Sequence, residues 1–275
     1  MKQLPILLAI VYIHGISCDQ PLVITKSGAV LGNFQKTSDG TQINEFLGIP
    51  FAAPPIYKLR YEKPQPSTPW TLPVNATKYS KGCIPCVNYD PSQVDLYSED
   101  CLYLNVWSPN LQGQLPVFFF IHGGAYETGR AGDYTAEAFR ENFVRRGIVV
   151  VSIQYRLGQL GFLTLNDSVI TPNLGLWDQT AALQWVQDNI GRFGGNNKRV
   201  TLYGQSAGSQ SIAQLALSPK TQALFQQTIQ MSGSTIGAAP RGANTLEFSK
   251  NWTTRLGCDV QKNDYKSWAF SLQIM

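Results

Sequence analysis

A serine between two glycines, in the pentapeptide Gly204-Gln205-Ser206-Ala207-Gly208, is the feature of this sequence that most directly suggests chemistry. The apolar run 200–203 precedes it and predicts a β-strand, while residues 207–217 follow with the apolar spacing of a helix. A sharp turn between a strand and a helix presents a serine for nucleophilic attack, and flanking glycines let the two elements approach closely. Ser206 is therefore a candidate nucleophile. A flexible glycine-serine turn is the alternative.

A second motif could stabilise the negative charge that develops when a serine attacks a carbonyl carbon. Attack on an ester carbonyl creates an oxyanion, which needs backbone N–H donors aimed at it. His122, Gly123 and Gly124 directly follow the most apolar run of the chain. We expect the oxyanion donors to be Gly123, Gly124 and, from the residue after the serine, Ala207. His122 could instead be the general base for Ser206, although a histidine in such a loop normally shapes the loop.

The base that would activate the serine is missing from the expected place. The chain has two histidines, His14 and His122, and both precede Ser206. Where a strand, a serine elbow and a helix form this kind of site, the acid and the histidine follow the serine along the chain. Acidic residues do follow it, at positions 247, 259 and 264, but no histidine does.

The elements around these motifs predict an α/β fold in one domain, residues 19–275. Residues 22–47 alternate apolar and polar, which predicts a small N-terminal antiparallel sheet. Short apolar runs typical of strands covered on both faces follow at 102–106, 117–121 and 148–151, and further strands are predicted at 200–203 and 225–231. Helical spacing is clearest over 176–190 and 207–217.

The N-terminal segment predicts secretion. Residues 1–18 have a lysine, an apolar stretch and then small residues, as in a signal peptide. A signal anchor is the alternative, but the stretch is shorter than the about 20 residues that span a bilayer. We expect no membrane span in the mature chain, and a location outside the cell or in the secretory lumen. Candidate glycosylation sites are then Asn75, Asn166 and Asn251.

The cysteines and the charge narrow the function classes further. In an oxidising compartment Cys83 or Cys86 can pair with Cys101. A metal or redox site at Cys83-Ile-Pro-Cys86 is the rival interpretation, but it lacks a second pair of ligands. The net charge of +4 comes from 22 basic and 18 acidic residues scattered along the chain, which does not favour a nucleic-acid partner.

Several segments together resemble the type-B carboxylesterase and cholinesterase-like family of α/β-hydrolases. The resemblance covers nearly everything from residue 22 to about residue 260. The segments that carry it are 46–66, Ser98-Glu99-Asp100-Cys101-Leu102-Tyr103-Leu104-Asn105-Val106, Tyr155-Arg156-Leu157-Gly158-Gln159-Leu160-Gly161-Phe162, Gly175-Leu176-Trp177-Asp178-Gln179, Phe193-Gly194-Gly195 with the Ser206 motif, and Ser232-Gly233-Ser234.

The resemblance implies a carboxylic ester hydrolase that acts on small-molecule esters through an acyl-serine intermediate, without cofactor or metal. It implies Ser206 as nucleophile and Gly123, Gly124 and Ala207 as oxyanion donors. It favours Cys83 as the disulfide partner of Cys101. It also implies two buried, structural ion pairs, Arg60 with Glu99 and Arg156 with Asp178.

The chain departs from the family pattern in three ways. Gln205 stands where most members carry glutamate, which removes a negative charge, and the loop 83–101 has no tryptophan for stacking on a choline ammonium. The third departure is the absent histidine. Together with Cys258, which lacks a later cysteine, it predicts an α/β-hydrolase fold truncated after the half that carries the nucleophile elbow. We expect such a chain to fold poorly and to be inactive alone; a non-catalytic adhesion or binding protein of this family, or a truncated decoy, is the alternative.

Overall fold

The computed structural model describes residues 20–86, 91–165, 170–236 and 243–255. Strands and helices are numbered here in chain order. Within these residues the strands are β1 Leu22–Ile24, β2 Ala29–Leu31, β3 Asn33–Lys36, β4 Gln42–Pro50, β5 Val74–Asn75, β6 Gly82–Cys83, β7 Tyr97–Ser98, β8 Tyr103–Ser108, β9 Leu115–Ile121, β10 Val149–Ile153, β11 Gly195–Gln205 and β12 Gln227–Met231. The helices are α1 Ala136–Asn142, α2 Gly158–Phe162, α3 Leu174–Asn189, α4 Ala207–Leu217 and α5 Ala243–Arg255.

A mixed sheet organises the part of the chain that the structure describes. Seven of the described strands form it in the order β12-β11-β9-β10-β8-β4-β3. The four strands from β12 to β10 are parallel to one another, and β8, β4 and β3 continue the sheet with antiparallel pairings. The chain therefore has a mixed α/β fold with parallel strands joined through helices.

The two faces of the central strands pack against different helices, because successive side chains of a strand point to opposite faces. On one face Phe119, Val151 and Leu202 share a core cluster with Leu183 of α3 and Ile212 of α4. On the other face Phe120 and Val150 share a second cluster with Trp107 and with Phe139 of α1. Helices thus cover both sides of β9 and β10, which explains why almost every residue of these strands is apolar.

The N-terminal segment is arranged differently from the single small sheet that its alternation suggests. β1 and β2 do pair antiparallel, but β5 joins them as a parallel third strand. β3 and β4 pair with each other and extend the main sheet through β8. Alternation of apolar and polar residues identifies strands with one buried face, but it does not determine which sheet a strand joins.

The expected covalent and ionic links are present. Cys83 is bonded to Cys101, and Cys86 is a free, half-buried thiol. The Arg156 guanidinium donates two hydrogen bonds to Asp178, at 2.7 and 2.8 Å, with both side chains buried. Arg60 pairs with Glu99 at 2.5 Å, but the Glu99 side chain keeps 23% of its surface exposed, so this second pair is less buried than expected.

Candidate active site

Three loops meet at the carboxyl end of the parallel strands. His122 follows β9, Ser206 follows β11, and Ser232 follows β12. In an open α/β sheet this edge is where ligands bind, because the loops there are free to form a crevice. The chain thus brings the serine motif and the histidine-glycine motif together at one edge of the sheet.

The backbone at Ser206 is in an unusual conformation. Its φ of 55° and ψ of −121° lie outside the regions that L-residues commonly occupy. Backbone hydrogen bonds hold the turn on both sides: the Ser206 N–H donates to Met231 O at 2.8 Å, and the Gln210 N–H donates to Ser206 O at 2.9 Å. Within the described residues no hydrogen bond engages the Ser206 hydroxyl. Strain at a residue with an uncommitted hydroxyl is typical of a nucleophile elbow.

The glycines flanking the serine are required by close approach of the strand to the helix. A Cβ at Gly204 would lie 2.7 Å from the backbone carbon of Gly208. A Cβ at Gly208 would overlap the carbonyl oxygen of Ile121, at the end of β9, and would lie 2.8 Å from that of His122. The sequence-based explanation for both glycines is therefore consistent with the observed packing.

Gly123 lies directly beside the serine turn. A Cβ on this glycine would be 2.7 Å from both the carbonyl oxygen and the side-chain oxygen of Gln205, and 3.2 Å from the Cβ of Ser206. Only a residue without a side chain fits here. The loop after β9 consequently brings its backbone to within contact distance of the candidate nucleophile.

The peptides of this loop are held so that their N–H groups remain available. The carbonyls of residues 122, 123 and 124 accept hydrogen bonds from Tyr155 Oη at 2.9 Å, from His122 Nδ1 at 2.8 Å, and from two amides, Glu127 N and Thr128 N, at 2.9 Å each. In a trans peptide the N–H points away from the C=O. The N–H groups of residues 123–125 therefore face away from these partners, and among the described residues none has an acceptor.

Ala125 is a candidate donor that sequence reasoning missed. Its φ of 57° is unusual for a residue with a side chain, and its N–H belongs to the peptide whose carbonyl is held by Glu127 and Thr128. The sequence offers no signal for it, because alanine does not mark a left-handed conformation as glycine does. Ala207 begins α4, where the first N–H groups of a helix have no intrahelical acceptor, so its N–H is also available.

His122 is buried and held in place. Its side chain is 1% exposed, stacks on Tyr155 with ring centroids 4.4 Å apart, and uses Nδ1 to bind the Gly123 carbonyl. Because a carbonyl only accepts, Nδ1 carries the proton. Desolvation lowers the pKa of His122 to about 4, so the ring is neutral at physiological pH. Nε2 is buried and has no partner among the described residues, so it forms no hydrogen bond with Ser206 there.

The other predicted groups lie away from this crevice or outside the described residues. Glu247 is exposed on α5, and no described contact joins it to Ser206. Asn75 on β5 and Asn251 on α5 are exposed. Outside the described residues lie His14, Asn166, Cys258, Asp259 and Asp264.

The described residues contain neither a metal-ligand cluster nor a membrane-spanning helix. Across residues 20–86, 91–165, 170–236 and 243–255, no three His, Cys, Asp or Glu side chains are grouped as metal ligands would be. Among the helices of those same ranges, none has both the length and the apolar character needed to cross a membrane.

Comparison with known proteins identifies the family. Residues 19–272 match the carboxylesterase family. The chain is 40% identical to gut esterase 1 of Caenorhabditis briggsae over 255 residues, which are 92% of this chain and 44% of that protein. It is 42% identical over 231 residues to juvenile hormone esterase of Tribolium castaneum, covering 82% of this chain and 39% of the relative. It is 39% identical to carboxylesterase 1E of Rattus norvegicus over 253 residues, which are 86% of this chain and 45% of that protein. The chain spans less than half the length of these relatives, and it belongs to the carboxylesterase family.

Proposed function

We propose that Ser206 is the nucleophile of a carboxylic ester hydrolase that acts on small-molecule esters. The proposal rests on the strained backbone of Ser206, whose hydroxyl forms no hydrogen bond among the described residues. Directly beside it lies the loop 122–125, and among the described residues the N–H groups of residues 123–125 have no acceptor. Membership of the carboxylesterase family supports ester hydrolysis as the reaction class. The finer assignment of residues is our inference from this geometry.

In the proposed reaction Ser206 Oγ attacks the carbonyl carbon of the ester, and the carbonyl electron pair moves to oxygen. The N–H groups of Gly123, Gly124 and Ala207 stabilise that oxyanion, and we add Ala125 to this set. Such donors are preorganised, because the carbonyls of the same loop are already bound elsewhere. Collapse of the oxyanion expels the alcohol and leaves an acyl-Ser206, which water then hydrolyses.

Both steps need a base that takes the proton from Oγ and later from water. Residues 207–275 contain no histidine. His122 is a poor candidate, because its Nδ1 proton is committed to Gly123 and its Nε2 is enclosed. We therefore propose that His122 orients the loop, and that the 275 residues alone hydrolyse esters negligibly.

Chemical rescue tests the nucleophile without requiring the chain's own base. Imidazole added to the solution should stimulate hydrolysis of p-nitrophenyl acetate through Ser206. The part of the rate that exceeds imidazole alone should vanish in Ser206→Ala and persist in Ser209→Ala, a matched change at a neighbouring buried serine that donates to Gly233 O. Equal rescued rates in the wild type and Ser206→Ala would remove Ser206 as nucleophile.

Labelling with a fluorophosphonate probe tests the proposed inactivity separately, because the probe reacts with an activated serine. Without imidazole we expect no labelling of the 275-residue chain. Ser206-dependent labelling would show that the chain activates its serine by itself, and would overturn the statement that it is inactive alone.

We further propose that the chain is secreted, with residues 1–18 removed, and that it carries N-glycans. The Cys83–Cys101 disulfide and the exposure of Asn75 and Asn251 support this. After expression in secretory cells, endoglycosidase should lower the mass of the protein, and Asn75→Gln should remove one glycan's share of that change. A protein recovered unglycosylated and with residues 1–18 intact would contradict the proposal.

A further inference from the structure

We propose that Tyr126 is a positioning residue that fixes the loop 122–128 against helix α4 through hydrogen bonds with Ser211 and, beyond it, Gln179. The inference rests on the proposed function, since it concerns the loop that would bind the oxyanion. It adds three residues that hold the donor loop in register with the nucleophile.

The backbone of Tyr126 is in a conformation that needs external support. Its φ is 64°, directly after Ala125 at 57°, so two consecutive residues with side chains are left-handed. A bulky residue rarely adopts this conformation, and it persists only where the surroundings determine it. Two contacts hold the residue from one side: its carbonyl accepts from Gly158 N at 2.7 Å, and its ring lies 4.8 Å from that of Phe162.

A polar chain holds Tyr126 from the other side. Gln179 Nε2 donates to Ser211 Oγ at 3.1 Å, and Ser211 Oγ donates to the Tyr126 hydroxyl at 3.4 Å. Gln179 belongs to α3 and Ser211 to α4, and both residues are fully buried. Ser211 is five residues after Ser206 on the helix that begins at the serine turn. The hydrogen bonds from Gln179 through Ser211 to Tyr126 therefore link the loop 122–128 to α4, the helix that begins directly after the candidate nucleophile.

The polar character of this link argues for positioning instead of simple packing. The second amide atom of Gln179, Oε1, is buried and has no partner among the described residues. An unsatisfied buried oxygen is destabilising, and an apolar side chain of similar size would avoid that cost. What the amide and hydroxyl add is direction, because hydrogen bonds fix distance and orientation where apolar contacts tolerate sliding.

The backbone bonds of the loop provide a direct measurement of its position. The Gly158 amide is bonded to the Tyr126 carbonyl, and the Glu127 and Thr128 amides are bonded to the Gly124 carbonyl. If the polar chain is lost, the loop opens more often and these three amides exchange their hydrogens with solvent more rapidly.

The experiment is residue-resolved hydrogen exchange on the full chain, comparing wild type, Tyr126→Phe, Ser211→Ala and the double variant. Tyr126→Phe removes only the hydroxyl and keeps the ring on Phe162. We expect each single variant to accelerate exchange at Glu127, Thr128 and Gly158 about two- to fivefold, the effect of losing one long neutral hydrogen bond. The double variant should exchange no faster than Ser211→Ala alone, because both changes remove the same bond to Tyr126 and only Ser211→Ala also removes the bond to Gln179.

Ser108→Ala is the matched control, because Ser108 is equally buried and donates to Phe193 O, far along the sheet from the loop. It should leave the three amides unchanged. Unchanged exchange in Tyr126→Phe, or acceleration in the double variant equal to the product of the single effects, would overturn the proposal. The readout needs no catalysis, so failure of the imidazole rescue and failure of this coupling are separate results.

Discussion

Gly208 on α4 lies against the carbonyl oxygen of Ile121, the last residue of β9, closely enough that a Cβ on the glycine would overlap that oxygen. The contact sets how near the serine turn can come to the loop that follows β9. The same approach brings Gly123 to the Cβ of Ser206. Strand, loop and helix are thus held together by backbone contacts that side chains would prevent.

Substitution of Gly208 should therefore be costly. Gly208→Ala forces a backbone shift at the crossing of β9 and α4, and we expect a loss of at least about 2 kcal/mol in unfolding free energy, measured with urea. Gly191→Ala is the control, because nothing lies within 4 Å of its added Cβ. It should stay within about 1 kcal/mol of wild type. Equal effects of the two substitutions would show that the crossing is looser than described.

The buried His122 should make stability depend on pH. Its pKa is about 4 in the folded chain and about 6.5 when unfolded, so the unfolded state binds more protons between these values. The part of the unfolding free energy that depends on a neutral His122 is fully present above pH 6.5 and is lost as the pH falls towards 4. From pH 7.5 to 5.0 the unfolding free energy should drop by about 2 kcal/mol on this account.

His122→Gln provides the comparison, because it removes the titrating ring and leaves all other titrating groups in place. Its unfolding free energy should fall less than that of wild type over the same pH interval, by about the same 2 kcal/mol. Parallel pH profiles for the two proteins would mean that His122 titrates normally in the folded state.

Much of this fold was predictable because its signals are local. Helix α4 has the predicted bounds, β11 and β12 overlap the strands predicted at 200–203 and 225–231, and β8 to β10 lie where short apolar runs indicated them. Such runs report burial on both faces, a property that each strand carries in its own sequence. The assignment of β3 and β4 to the main sheet was not predictable, since it depends on pairing with β8.

The features of the candidate site that were missed depend on conformation and on distant contacts. Ala125 gives no sign of its positive φ, and Tyr126, Ser211 and Gln179 are far apart in sequence. A glycine in a sequence can indicate a place where two backbone segments come close together, which is why Gly123, Gly204 and Gly208 were predicted as part of the site. Residues that support a loop from neighbouring helices have no comparable signature.

The disulfide should contribute substantially to the unfolding free energy, because it closes a loop and so restricts the unfolded chain. Cys83 and Cys101 are 18 residues apart, and restricting the unfolded chain over that length contributes about 3 kcal/mol. We expect the double variant Cys83→Ser, Cys101→Ser to lose about that much unfolding free energy. Cys86→Ser, which removes the free half-buried thiol, should lose about 1 kcal/mol or less. A larger loss in Cys86→Ser than in the double variant would contradict the pairing.

The two ion pairs should differ in their response to loss of the acid. Asp178→Asn leaves the Arg156 guanidinium buried without its counter-charge, which should cost about 3–5 kcal/mol. Glu99→Gln affects a pair whose carboxylate keeps 23% of its surface exposed, so solvent screens the change and the loss should be smaller, about 1 kcal/mol.

Urea unfolding of both variants at neutral pH checks the ranking, and Arg156→Met combined with Asp178→Leu tests its cause. If the cost of Asp178→Asn comes from a stranded charge, the double variant should be more stable than the single one, because no charge remains buried. A double variant less stable than Asp178→Asn would instead show that the directional bonds between α3 and the segment after β10 stabilise the fold more than the charge destabilises it.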